Sequence, residues 1–125
     1  MKNEIPHLFT KDQYNRLLAN GQKEEDIDHL PVILLRVPWH SASWLLVSIL
    51  PHRKNILIGL CDLGEGSPEV GSITIEELLS IEHPSGLKVE RDKYFKAKHP
   101  FSVYVKAARS QGSITISDCD LEPFT

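Results

Sequence analysis

The sequence predicts an α+β protein: an antiparallel meander sheet of about four to five strands with about three helices. Three observations lead there. Short apolar runs at residues 31–37, 42–50 and 55–61 follow one another through connections far below the roughly dozen residues that a parallel crossover needs. Two Thr-x-x-Gln/Glu signatures, at Thr10 and Thr74, announce helix starts. Pro100 and Gly112 bracket a third apolar periodic segment, proline where a helix opens and glycine where it closes.

The elements follow in chain order. Thr10 caps the first helix with Gln13 three residues on, and Phe9 and Tyr14 stand at the staple positions. Tyr14, Leu17 and Leu18 give it an apolar face, and Asn20-Gly21 is its stop signal. Residues 22–30 are polar and acidic and read as a surface connection. Asp26 and Asp28 lack the glycine and terminal glutamate of a calcium loop, so a solvated turn is expected there.

The strand at 31–37 ends at Pro38. In the next strand, strict alternation sets Leu45, Val47 and Ile49 on one face and Trp44, Leu46 and Ser48 on the other. Residues 51–55 read as a turn and 55–61 as the third strand. Both faces of these strands carry apolar residues. One packs on the core; the other must meet helices, a second subunit or a ligand. A fourth strand is expected at 69–73, then a short helix at 75–81 with Glu77 at its third position. Residues 87–95 have weak strand character. Phe101, Tyr104, Val105 and Ala108 line one face of the third helix.

The 125 residues, 41% hydrophobic and 25% charged, are ordinary for one domain with its own core. The core is expected at about residues 8–112. The acidic tail, 113–125, is expected either to add an edge strand or to be mobile, with Pro123 arguing against order at the end. No apolar run approaches the ~20 residues of a spanning helix, and the first six residues lack the apolar centre of a signal peptide. A cytoplasmic protein without membrane partners is the expectation. Cys61 and Cys119 read as reduced thiols.

Residues 59–71 concentrate four of the seven glycines with Asp62, Glu65 and Glu69. Glycine at this density marks a chain reversal with unusual backbone geometry. A phosphate loop would need a lysine and a following helix, whereas these acids repel an anion and a strand follows. Cys61, Asp62, Glu65 and Glu69 form the candidate binding loop, whose charges suit a cation or a basic partner, with solvated surface acids as the bland alternative. From residue 60 to 82 there are six acids and no lysine or arginine.

Between Lys88 and Arg109 the balance reverses, with seven bases against two acids and Tyr94, Phe95, Phe101 and Tyr104 interleaved. Lys93, Lys96, Lys98 and Lys106 form a candidate nucleic-acid patch, since lysines hold phosphates and aromatic rings stack on bases. The bland alternative is an ordinary basic surface, and a third reading is a surface for an acidic protein partner. No catalytic set is assigned. A thiol mechanism would need His40 or His52 beside Cys61 to lower its pKa, and a strand cysteine is more often a small buried hydrophobe. No zinc spacing, other metal signature or cofactor motif is present, so no metal and no cofactor are expected. Trp39 and Trp44 either cover the sheet or anchor a partner.

Several segments together resemble a small bacterial domain of unknown function, number 2958 in its series. They are Leu17-Leu18-Ala19-Asn20-Gly21, Pro31-Val32, Trp44-Leu45-Leu46, Gly59-Leu60-Cys61-Asp62-Leu63-Gly64, Pro68-Glu69-Val70-Gly71, and Glu90-Arg91-Asp92 before Phe95. The resemblance runs in order over about residues 8–112, and the Gly-Leu-Cys-Asp-Leu-Gly segment is its most specific part. It implies association with plasmids, integrative elements and phages, and brings no catalytic residues with it. The leading expectation is a non-enzymatic interaction protein of a mobile element, with an unknown protein partner or self-association through the second sheet face. The rivals are a nucleic-acid-binding accessory protein using residues 88–109 and a small enzyme centred on residues 59–71.

Overall fold

A computed structural model describes residues 7–23 and 27–125. Glu24, Glu25 and Asp26 of the acidic connection, and the six N-terminal residues, lie outside the described residues. The elements are α1 (Lys11–Gly21), β1 (Ile33–Arg36), β2 (Ser43–Leu50), β3 (Arg53–Asp62), β4 (Glu69–Thr74), α2 (Ile75–Ser80), β5 (Glu90–Arg91), α3 (Phe101–Gln111) and α4 (Asp118–Leu121). A 3₁₀ turn, Glu122–Phe124, follows α4. The strands make one antiparallel sheet in the order β4-β3-β2-β1-β5. The α+β reading with its meander therefore stands, and β5 returns to close the far edge beside β1.

Both capping boxes form. Thr10 accepts from the Gln13 amide at 3.1 Å while Gln13 Oε1 accepts from the Thr10 amide at 2.9 Å. Thr74 and Glu77 repeat the exchange at 3.0 and 2.9 Å. The Phe9 and Tyr14 rings stack with centroids 6.2 Å apart, completing the staple of α1.

Strict alternation along β2 does not hold. A register shift between Leu46 and Ser48 inserts Val47 as a bulge, and one extra residue flips the faces beyond it. Ile49 accordingly joins Trp44 and Leu46 in one core cluster, while Leu45 belongs to the other. The hairpin to β3 is also tighter than expected: Leu50 pairs with Arg53, leaving only Pro51 and His52 as the turn.

Gly21 closes α1 for a different reason than a left-handed cap. It remains inside the helix, and the cap residue Gln22 is right-handed. A Cβ on Gly21 would run into the Ile49 carbonyl oxygen and lie 2.9 Å from its carbon. Beside it, Asn20 Nδ2 donates to the Val47 carbonyl at 2.8 Å, satisfying the bulge. Asn20-Gly21 is thus the seat of α1 on β2.

The first cluster, with Leu17, Ile33, Leu35, Trp44, Leu46, Leu57 and Leu78, lies beneath α1 and α2. Trp44 is buried and Trp39 packs against the same cluster, meeting His83 edge-on at 5.2 Å, so both indoles cover the sheet. The second cluster joins Leu34, Leu45 and Leu60 to Tyr104, Ala107 and Ala108 of α3 and to Leu121 of α4. The second sheet face is therefore filled from within the chain, which removes it as the surface for self-association. The tail is neither an edge strand nor a loose end: Leu121 is buried and Phe124 packs against the same cluster.

Helix α3 takes its cap from far away. Pro100 offers no side-chain bond, but the Phe101 amide donates to the His29 carbonyl at 2.8 Å and the Ser102 amide to Asp28 Oδ1 at 3.0 Å. Asp28, read from sequence as a solvated turn residue, is the surrogate cap. Asp28→Ala should cost about 1–2 kcal/mol, the loss of a helix cap, measured by urea denaturation. A change below a few tenths would show that the cap is idle.

Candidate functional site

The loop between β3 and β4 is held by backbone geometry and one carboxylate. Gly64 and Gly66 have φ of 80° and 87°, the left-handed region that favours glycine. A Cβ on Gly64 would also lie 3.2 Å from His40 Cε1. Asp62 is 2% exposed. It accepts from the Gly64 amide at 2.8 Å through Oδ1 and from the Ile114 amide at 3.0 Å through Oδ2. One carboxylate thus closes its own turn and ties down the tail.

Cys61 and Asp62 are neighbours on a strand and so point to opposite faces. Cys61 packs against the first cluster, whereas Asp62 bonds to the tail behind the second. Cys61 and Glu69 are cross-strand partners and share a face. Glu65 and Glu69 are exposed. The four residues of the loop therefore divide into a structural carboxylate, a half-buried thiol and two solvent-facing acids. The split between Cys61 and Asp62 was derivable from strand alternation alone.

Burial pushes the Cys61 thiol up from its ordinary value near 9.0, and the Glu77 carboxylate pushes it further the same way. The thiol is protonated at neutral pH, the reverse of an activated nucleophile. Its folded value is the higher one, so its contribution to stability is present below the ordinary value and lost as pH rises through the raised one. His40 Nδ1 accepts from the Ala42 amide at 3.1 Å, and His52 sits in the hairpin turn at the opposite end of β3. Neither histidine hydrogen-bonds to Cys61 among the described residues. A thiol reagent at about pH 7 should modify exposed Cys119 first and Cys61 on the order of tenfold more slowly, read by mass spectrometry. Equal rates would contradict this placement.

Lys93, Lys96, Lys98 and Lys106 are all exposed. They do not converge on one groove. Lys93 borders a cleft of about 490 Å³ with Arg36, Arg91 and Tyr94. Lys96 lines a second cleft beside Arg16 and Pro31, and Lys98 a third beside His99 and Asp118. Lys98 Nζ is also 3.5 Å from an Asp118 carboxylate oxygen. Of the interleaved aromatics, Tyr104 is buried and accepts the Lys98 amide at 3.0 Å on its hydroxyl, and Phe95 packs edge-on against it. Tyr94 alone is open, at 92% exposure. No group of three His, Cys, Asp or Glu side chains is placed to hold a metal ion among the described residues. Nor is any described helix long and apolar enough to cross a membrane.

These features define an α+β protein whose acidic, glycine-containing loop is organised by a buried aspartate. The chain belongs to the DUF2958 family: the model for that family, described as a protein of unknown function, matches residues 8–115. The match ends just past Ile114, the residue whose amide Asp62 accepts, and leaves α4 beyond it. No curated protein matches the chain, and no solved structure does.

Proposed function

We propose that this chain is a non-enzymatic interaction module of a bacterial mobile genetic element, acting in the cytoplasm on a protein partner. The observation that carries the reading is the separation of charge across the sheet. Exposed Glu65, Glu69, Glu76 and Glu77 flank β4 at one edge, while Lys93, Lys96 and Lys98 follow β5 at the other. Such segregation favours oriented contacts with a charged partner and excludes partners of the wrong sign. The mobile-element setting comes from the family resemblance. A pull-down from the native host, with RNase and DNase controls, tests the reading: a protein should be recovered after both treatments, and recovery of nucleic acid alone would overturn it.

A second reading, a nucleic-acid accessory protein, is favoured by one observation. Tyr94 stands open beside Lys93, Arg91 and Arg36, a stacking surface among cations. Titration with single-stranded DNA and RNA at low salt should then show binding that collapses as salt rises. Absence of binding at low salt removes this reading.

A further inference from the structure

We propose that the outer edge of β4 receives an extended basic segment of a partner protein, which joins the sheet as an added strand. The proposal rests on the interaction-module reading and names the surface that would serve it.

The two sheet edges are unlike. β5 has two residues, both charged, the short and charged form by which proteins blunt an edge. β4 has six, in unbroken register with β3 from Glu69 to Thr74, without proline, lysine or bulge. Its free hydrogen-bonding groups follow from the capping box. The Thr74 amide donates to Glu77 Oε1 and is therefore turned away from β3. Antiparallel ladders alternate, so Glu69, Gly71 and Ile73 exchange bonds with β3, and Val70 and Ser72 direct their N–H and C=O groups outward. Both residues are exposed, and no other main-chain bond to them occurs among the described residues. A strand laid antiparallel along this edge would pair with Val70 and Ser72 through main-chain bonds.

Charge selects the occupant. A second copy pairing through β4 about Gly71, with both sheets continuous, sets each Glu69 opposite the other copy's Ile73. That brings it toward the other copy's Glu76 and Glu77, like charges at close quarters. A basic segment meets the same acids favourably. Its residue opposite Glu69 shares the α2 face and should be lysine or arginine. Residues opposite Val70 and Ser72 share the other face, where a polar cleft of about 430 Å³ lies among Gly66, Ser67, Pro68, Glu69, Val70 and Arg109, whose guanidinium disfavours a further base there. The recognised pattern alternates basic residues with residues that carry no positive charge.

The test is selection from a phage-displayed library of random nine-residue peptides on the whole chain. Enriched sequences should alternate Lys or Arg with non-basic residues, and should slow amide exchange at Val70 and Ser72. Ser72→Pro removes one outward N–H at a position where an edge strand tolerates proline, and should weaken binding at least about tenfold. Glu69→Lys, which leaves the backbone untouched, should weaken it several-fold. No enrichment, enrichment without basic residues, or unchanged binding by both variants would overturn the proposal. So would protection of Val70 and Ser72 that rises with protein concentration alone, the sign of a second copy. If the host pull-down with both variants still recovers the protein partner, the edge is wrong and the module stands. If wild type recovers only nucleic acid, the module reading itself falls.

Discussion

Gly21→Ala should destabilise the protein by about 3 kcal/mol or more, lowering the melting temperature on the order of 10 °C. The added methyl has no open direction: it enters the Ile49 carbonyl, a backbone atom that cannot rotate away as a side chain would. Relief requires α1 to lift from β2, and lifting α1 pulls Asn20 from the Val47 carbonyl and uncovers Leu17, which is fully buried. Helix propensity works in the opposite direction, since alanine is favoured over glycine by about 1 kcal/mol inside a helix. The steric term outweighs it. Gly71→Ala is the matched control, because a Cβ there meets nothing within 4 Å. It should leave stability within about 0.5 kcal/mol. Equal melting temperatures for the two variants would mean that α1 does not seat on β2 this closely.

Asp62→Ala is expected to cost about 3 kcal/mol, because two amides lose a charged acceptor at a buried position. Asp62→Asn should cost less, as its carbonyl oxygen can still accept one of the two bonds. The diagnostic readout is local. Amide exchange at Gly64 and Ile114 should accelerate more than the global loss of stability explains, since the loop and the tail are released together. If only global stability falls, with the two amides following the rest of the sheet, the carboxylate is not their tether.

What could be read from sequence was what is local in sequence. The boxes at Thr10 and Thr74 join residues three apart, so their signatures were complete on the page. Gly64 and Gly66 announced positive φ by their identity. The bulge at Val47 was illegible because it exists only against β3 and α1, and no residue type marks it. Asp28 and Asp62 looked like surface acids because their partners lie 74 and 52 residues further on. The tail misled through Pro123, which sits in the first positions of the 3₁₀ turn, where its missing N–H costs nothing. At the candidate site, the reversal and its acidity were legible. The division of labour between Asp62 and Glu69 was not, because burial is a property of the packed chain.

The two long-range carboxylates meet their last partners late in synthesis, 74 and 52 residues further along the chain. Leu34, Leu45 and Leu60 are made with the meander, but the helix that covers them begins at Phe101. At the usual rates of about 5–20 residues per second, the second face of the sheet stays bare for on the order of seconds on the ribosome. During that interval Asp28 lacks the Ser102 amide it later accepts, and Asp62 holds only the Gly64 amide of its own turn, so both carboxylates still face water. Charge at the margin of an exposed apolar face is what keeps nascent chains from sticking to one another. The same two groups that later fasten α3 and the tail would act first as gatekeepers against aggregation.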